Sequence, residues 1–108
     1  MVEAWTVILS EEVARWYLQQ PPADRRVVDR MIAMLATEGN HLRMPHSRSL
    51  GDGLLELRFA IMQATVEQRI TYAFDTGRMV IMLTTFRKTR QREDREIARA
   101  RQAREERL

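Results

Sequence analysis

Glu56, Arg58, Arg69 and Thr71 are the polar residues of two segments that otherwise alternate with apolar side chains, and Arg87, Lys88 and Arg90 follow a third apolar segment closely. Guanidinium groups carry forked N–H donors that match the oxygens of a phosphate. A line of further cations extends such a site along a nucleic-acid backbone. Two arginines side by side on neighbouring strands repel unless an anion lies between them. Two anions are available: Glu56, giving an Arg–Glu ladder on an exposed sheet, or a phosphate from outside. Phe86 and Tyr72 are candidates to stack on a base, or are core residues.

This set suits RNA cleavage, which needs few special groups. The ribose 2′-OH attacks the adjacent phosphorus, and cations aimed at the charge gained in the transition state lower the barrier. A base and an acid add about 10²–10⁴-fold. Lys88 serves if neighbouring cations depress its pKa, and Glu56 is a candidate base. His41 and His46 are the alternatives by chemistry, but both are placed in a loop rather than on the sheet. Two histidines five residues apart with no nearby carboxylate make a poor metal site, so neither metal nor cofactor is expected. Gly51-Asp52-Gly53 is a turn before a strand rather than a phosphate-binding glycine loop.

The elements that must position these groups are legible in the pattern of the chain. Residues 5–9, rich in β-branched and aromatic side chains, predict a first strand. Ser10 offers a helix N-cap, with Glu11 and Glu12 in the first turn. Val13, Trp16 and Tyr17 share one helical face, and Pro21-Pro22 ends this helix and opens the next. A second helix is predicted over 23–38, with Val27, Val28, Met31, Met34 and Leu35 as its stripe and Gly39 as its C-cap. Residues 40–53 read as a polar loop. Strands are predicted over 54–61 and 66–74. In the first, Leu55, Leu57, Phe59 and Ile61 face one way and Glu56, Arg58 and Ala60 the other. In the second, Ile70, Tyr72 and Phe74 oppose Glu67, Arg69 and Thr71. Asp75-Thr76-Gly77 predicts a hairpin to a strand over 78–86. Residues 90–108 lack Gly and Pro and predict a charged helix with a narrow apolar stripe of Ile97, Ala98, Ala100 and Ala103. The order gives an α+β fold of one domain over residues 1–108, with the helices on one face of a mainly antiparallel sheet and the polar residues on the other.

Composition bounds the answer further. A chain of 108 residues supports one core. It has no cysteine, which excludes disulfides and cysteine-ligated zinc. No apolar run reaches the ~20 residues of a membrane helix, and residues 1–5 show no basic start leading into an apolar stretch. A cytoplasmic protein is expected, with no membrane partner. Residues 1–86 hold nine arginines against ten carboxylates, whereas 87–108 hold nine cations against five carboxylates. The positive excess at that end suits a polyanion or an acidic partner, or is a solvated charged tail. Lys88 is the only lysine among 18 basic residues.

The sequence resembles the RelE superfamily of toxins, in its HigB-like, phage-derived branch. The likeness is carried by Leu50-Gly51-Asp52-Gly53-Leu54-Leu55-Glu56-Leu57-Arg58 with Pro45 before it, then Arg69-Ile70-Thr71-Tyr72, Phe86-Arg87-Lys88-Thr89 and Glu96-Ile97-Ala98-Arg99-Ala100. It spans nearly the whole chain, and the four motifs keep the family's order. It implies a RelE-like arrangement, β-α-α-β-β-β with a charged C-terminal helix. It also implies the toxin of a type II toxin–antitoxin system, a ribosome-dependent mRNA endoribonuclease that inhibits translation. A helix-turn-helix antitoxin would neutralise it. Carried over, the family's catalytic positions fall on Arg58, Arg69 and Lys88, with Phe86 as support; Arg87, Arg90 and Glu56 join Phe86 as RNA-binding candidates from the residue reading. The chain departs from the family where a second lysine often follows the Phe, where a proline often precedes the last helix, and in lacking a C-terminal Tyr or His. The same fold serves ParE-like toxins, which inhibit DNA gyrase without cutting RNA, and a non-toxic regulatory module is a third expectation.

Overall fold

The computed structural model describes residues 4–89 and 93–107. Strand β1 is Thr6–Leu9, followed by helices α1 (Glu11–Leu18) and α2 (Pro22–Glu38), then β2 (Ser47–Gly51), β3 (Leu54–Ile61), β4 (Val66–Asp75), β5 (Met79–Arg87) and α3 (Glu93–Arg107). The five strands form one sheet in the order β1-β5-β4-β3-β2. β1 runs parallel to β5, and the other pairs are antiparallel.

The start and stop signals work as their chemistry dictates. Ser10 caps α1 by accepting the Val13 N–H at 3.2 Å, and its hydroxyl donates to the Leu83 carbonyl at 2.8 Å, tying the cap to β5. Pro21 is the N-cap of α2 and Pro22 its first residue. Gly39 ends α2 with φ at 54° and ψ at −126°, and a Cβ there would meet the Trp5 indole. That backbone and that approach both require glycine. The β3–β4 turn runs through Met62, Gln63 and Ala64, all with positive φ, and the buried Asp24 carboxylate at the start of α2 accepts the Met62 N–H at 3.0 Å.

The helix hairpin covers one face of the sheet, as the pattern predicts. Val13, Val28, Met31 and Leu35 meet Leu57, Ile70, Tyr72, Val80 and Met82, all fully or nearly buried. Two features differ from the sequence expectation. Residues 47–51, read as loop, form β2 on the sheet edge against β3. Arg48 and Ser49 are exposed there, because an edge strand pairs through its backbone and carries polar side chains without penalty. Helix α3 packs on the second face, not on the helix-hairpin face. Its Ile97, Ala100 and Ala103 cover Leu54, Ala73, Ile81 and Leu83. Ala98, placed in the same stripe by the sequence reading, is exposed.

Polar contacts fasten α3 at both flanks. Arg99 donates to Glu12 of α1 at 2.5 Å and to the Thr85 carbonyl at 3.2 Å. The hydrogen bond to Glu12, with help from Glu96, holds the Arg99 guanidinium above its ordinary pKa against the opposing effect of burial. Arg101 and Arg104 donate to the Leu50 and Asp52 carbonyls, at 2.8 and 2.5 Å.

Candidate functional site

Cross-strand register arranges the second face in rows. Arg58 stands opposite Arg69, and Arg69 opposite Phe86. One row toward α3, Glu56 pairs with Thr71 and Thr71 with Thr84, while Arg48 of β2 stands opposite Glu56. One row further, Leu54, Ala73 and Ile81 lie under α3. On the other side of the arginines, Ala60 pairs with Glu67, whose carbonyl accepts the Lys88 N–H at 2.9 Å. The face grades from basic to polar to apolar along the same three strands.

A bulge sets which residues of β5 join this face. Thr71 pairs with Thr84, but Tyr72 pairs with Met82, so Leu83 is an extra residue. A bulge reverses the phase of alternation beyond it. Ile81 therefore shares the second face before the bulge, and Phe86 and Lys88 share it after. Without the extra residue, Thr85 would meet Arg69. Thr85 instead turns to the helix side, where its N–H reaches Glu12 at 2.8 Å and its hydroxyl takes the Gln68 amide at 2.8 Å. Arg87, opposite Gln68, alternates to that side as well and is exposed.

The sequence-derived candidates thus divide. Glu56, Arg58, Arg69, Phe86 and Lys88 come together on one face; Arg87 does not, and Arg90 lies outside the described residues. Burial separates the first group further. Arg69 is 2% exposed and Glu56 fully buried, Phe86 is nearly buried, and Arg58 and Lys88 are half-buried. Arg69 Nε lies 3.8 Å from Glu56 Oε1, and Arg48 Nη1 lies 3.9 Å from the same oxygen. These are ion pairs without hydrogen bonds. Arg69 Nε and both Glu56 oxygens have no hydrogen-bond partner among the described residues. Arg69 Nη1 donates to the Gln68 carbonyl at 3.1 Å. Burial pushes the Glu56 carboxyl above its ordinary value, against the pull of Arg69. Burial, and then repulsion from Arg58, pulls Arg69 below its own. Both effects disfavour the charged forms, as expected of charges drawn out of water.

Arg58 is the more accessible of the two opposed arginines. Its Nη1 lies 3.2 Å from the Met44 sulfur. A cleft of about 300 Å³ opens between Met44–Pro45 and the β3–β4 ladder, lined there by Arg58, Ala60, Glu67 and Arg69. Both arginines reach it. A smaller cavity of about 120 Å³ lies at the far end of α3, beside Phe74, Leu83 and Arg104, away from the arginine row. Among the described residues no group of three His, Asp or Glu side chains stands close enough to hold a metal ion.

Sequence reading placed both histidines off the sheet. His41 is exposed, in a 3₁₀ turn spanning Gly39–His41. His46 differs: its carbonyl accepts the Arg58 N–H at 2.8 Å, which continues the β2–β3 ladder by one residue. The register then sets His46 across from Arg58. Arg48 and Met44 were also missed. Their signal was the spacing of His46 and Arg48, two apart, which puts both on one face once the segment is recognised as a strand.

The fold is similar to that of two solved RelE-type toxin structures. The fold matches the free Escherichia coli toxin RelE, solved as a double-arginine mutant, with a TM-score of 0.62 over 92% of this chain and 96% of that one, at 10% identity. It also matches a chain of the RelBE2 toxin–antitoxin complex of Mycobacterium tuberculosis, with a TM-score of 0.52 over 79% of this chain and 99% of that one, at 17% identity. The chain belongs to the family described as phage derived protein Gp49-like, whose model matches residues 15–105. No curated protein matches it.

Proposed function

We propose that this chain is the toxin of a type II toxin–antitoxin pair and cleaves messenger RNA on the ribosome. The observation that carries the reading is the direct opposition of Arg58 and Arg69 across β3 and β4, with Phe86 opposite Arg69, beyond the apolar row that α3 packs on, and with Arg58 open to the cleft. Two guanidinium groups so placed repel each other, and a phosphate relieves that repulsion. Family membership and the RelE fold support the reading. One similar structure is a toxin–antitoxin complex, which favours an antitoxin as partner.

In this mechanism Arg58 binds the scissile phosphate, and Arg69 adds positive potential from beneath. Glu56, sealed from solvent, acts through Arg69 and Arg48 by holding them in place. The 2′-oxygen bonds to phosphorus while the bond to the 5′-oxygen breaks. The 2′-hydroxyl proton passes to a base, and the leaving oxygen takes a proton from an acid. Lys88, half-buried one row away, stabilises charge or carries one of those protons, and His46 is the nearest alternative by register. Exposed Arg87 and Arg95 offer phosphate contacts to ribosomal RNA, and Arg90 is a further candidate from its place in the sequence.

Induced expression in a host without the antitoxin tests this. Growth arrest with new 5′ ends inside codons of translated messages is the expected result. Arg58→Ala should lose about 10²-fold in cleavage, the typical cost of removing one transition-state donor, with the fold intact. Arrest with uncut transcripts and inhibited DNA supercoiling would move the protein to the gyrase-inhibiting reading. The near-complete burial of Arg69 is what favours that second reading. Unimpaired growth with soluble protein would point to a regulatory module.

A further inference from the structure

The cleft above Arg58 has walls that phosphate binding does not explain. Met44 is 58% exposed, one of few large apolar side chains so open among the described residues, and exposed Pro45 continues its surface. Facing them across the cleft is Glu67, whose side chain is 66% exposed. Its Oε2 makes an ion pair with Arg69 Nη2 at 3.8 Å, beyond hydrogen-bond length, so the carboxylate oxygens keep their hydrogen-bond acceptor capacity. A carboxylate beside a phosphate site is unfavourable unless it meets donors instead of more negative charge.

We propose that this cleft is a nucleobase subsite in which Met44 and Pro45 cover the ring and Glu67 accepts hydrogen bonds from the Watson–Crick edge, selecting guanine. The inference rests on the RNA-binding reading above and adds the base to it. Its volume of about 300 Å³ is at the small end for ligand pockets. Thioether sulfur makes favourable contacts with aromatic rings, and the flexible Met44 side chain adapts to a flat one. The link between base and phosphate is short because Met44 Sδ already touches Arg58.

The choice of base follows from donor geometry. Guanine presents N1–H and the 2-amino group side by side, two donors for two carboxylate oxygens. Adenine and cytosine each present one amino group beside a ring nitrogen that repels the carboxylate. Uracil presents N3–H between two carbonyl oxygens, the worst match of the four. A good bidentate pair discriminates by roughly 5–150-fold.

Binding of four short 2′-O-methyl RNAs, identical except for one central base, measures this on the purified protein by fluorescence anisotropy. The guanine RNA should bind about tenfold more tightly than the uracil RNA. Glu67→Ala should bring all four within about twofold, and Glu67→Gln, which offers one acceptor and one donor, should shift preference toward adenine and cytosine, each with an amino group beside an acceptor ring nitrogen. Equal binding of the four by the unaltered protein, or a guanine preference that survives Glu67→Ala, overturns the subsite and leaves the phosphate site standing. Binding that Arg58→Ala does not weaken overturns the phosphate site, and no measurable binding to any of them overturns the subsite as a site of the free protein, while cleavage of translated messages separately decides the RNA-cleavage reading.

Discussion

β3, β4 and β5 cross the second face of the sheet from one end to the other, yet its two halves are built differently. Under α3, Leu54, Ala73, Ile81 and Leu83 are closed over by Ile97, Ala100 and Ala103. Two rows along the same strands, Arg58, Arg69, Phe86 and Lys88 stand outside the apolar cluster that α3 makes with the sheet. The apolar half is ordinary packing. The basic half keeps Arg69 and Glu56 buried without hydrogen bonds between them, a costly arrangement that a folded chain tolerates where it has a use. The comparison teaches that the strands supply only alternation, and that the covering element decides whether a row becomes core or site.

The difference can be broken from the basic side first. Arg69→Ala leaves the Glu56 carboxylate buried with Arg48, at 3.9 Å, as its remaining ion-pair partner among the described residues. It should cost about 3–5 kcal/mol at neutral pH, read as a lower urea midpoint. Adding Glu56→Gln should recover much of that loss. A single variant that unfolds at the unaltered midpoint would mean the pair is not buried in solution. Arg69→Ala is therefore a poor test of activity, and the half-exposed Arg58 is the cleaner one, contrary to the sequence reading that treats the two alike.

On the apolar side, Leu83→Ala should cost about 2–3 kcal/mol, at the lower end of the range for buried leucines, since α3 forms a thin cover. Hydrogen exchange should then rise along α3 before it rises along α2. Equal protection of the two helices in the variant would show that α3 does not depend on this contact.

The Arg99–Glu12 pair joins α3 to α1 at the boundary between the halves, with side chains 40% and 38% exposed. Screening at that exposure limits it to under about 1 kcal/mol. Arg99→Ala should lower thermal stability slightly at low salt and not at 1 M salt, where the Debye length is about 3 Å.

The smallest expected effect is on pH. Glu56 has its folded pKa raised by burial, so its proton is held more tightly in the folded chain. The associated stability is fully present below the ordinary value of 4.5 and is lost as pH climbs through the raised folded value. Unfolding free energy should thus fall over that mildly acidic interval in the unaltered protein, and Glu56→Gln should flatten the slope. Identical slopes would place Glu56 in contact with water.

Much of this was legible from residues 54–75. The period-two pattern of Leu55, Leu57 and Phe59 against Glu56 and Arg58, and of Ile70 and Tyr72 against Arg69 and Thr71, separates core from site without coordinates. The register between those strands follows once Leu57 meets Ile70. β2 was not legible because its side chains are polar on an edge that pairs only through the backbone. The position of Arg87 was misleading because it neighbours Phe86 and Lys88 in sequence, and the bulge at Leu83 leaves it facing the other way.

By itself the sequence determined every element but β2, which strand faces are apolar, and that two arginines fall on the face opposite the helix hairpin. Those properties depend on spacing along one segment, which local sterics and burial fix. Tertiary structure alone decided that α3 covers half of the second face, that Arg69 is sealed while Arg58 is open, and that His46 and Arg48 stand beside the arginine row. Each of these depends on which distant segments meet, and the free energy of a buried charge or a polar edge is set by its neighbours in space.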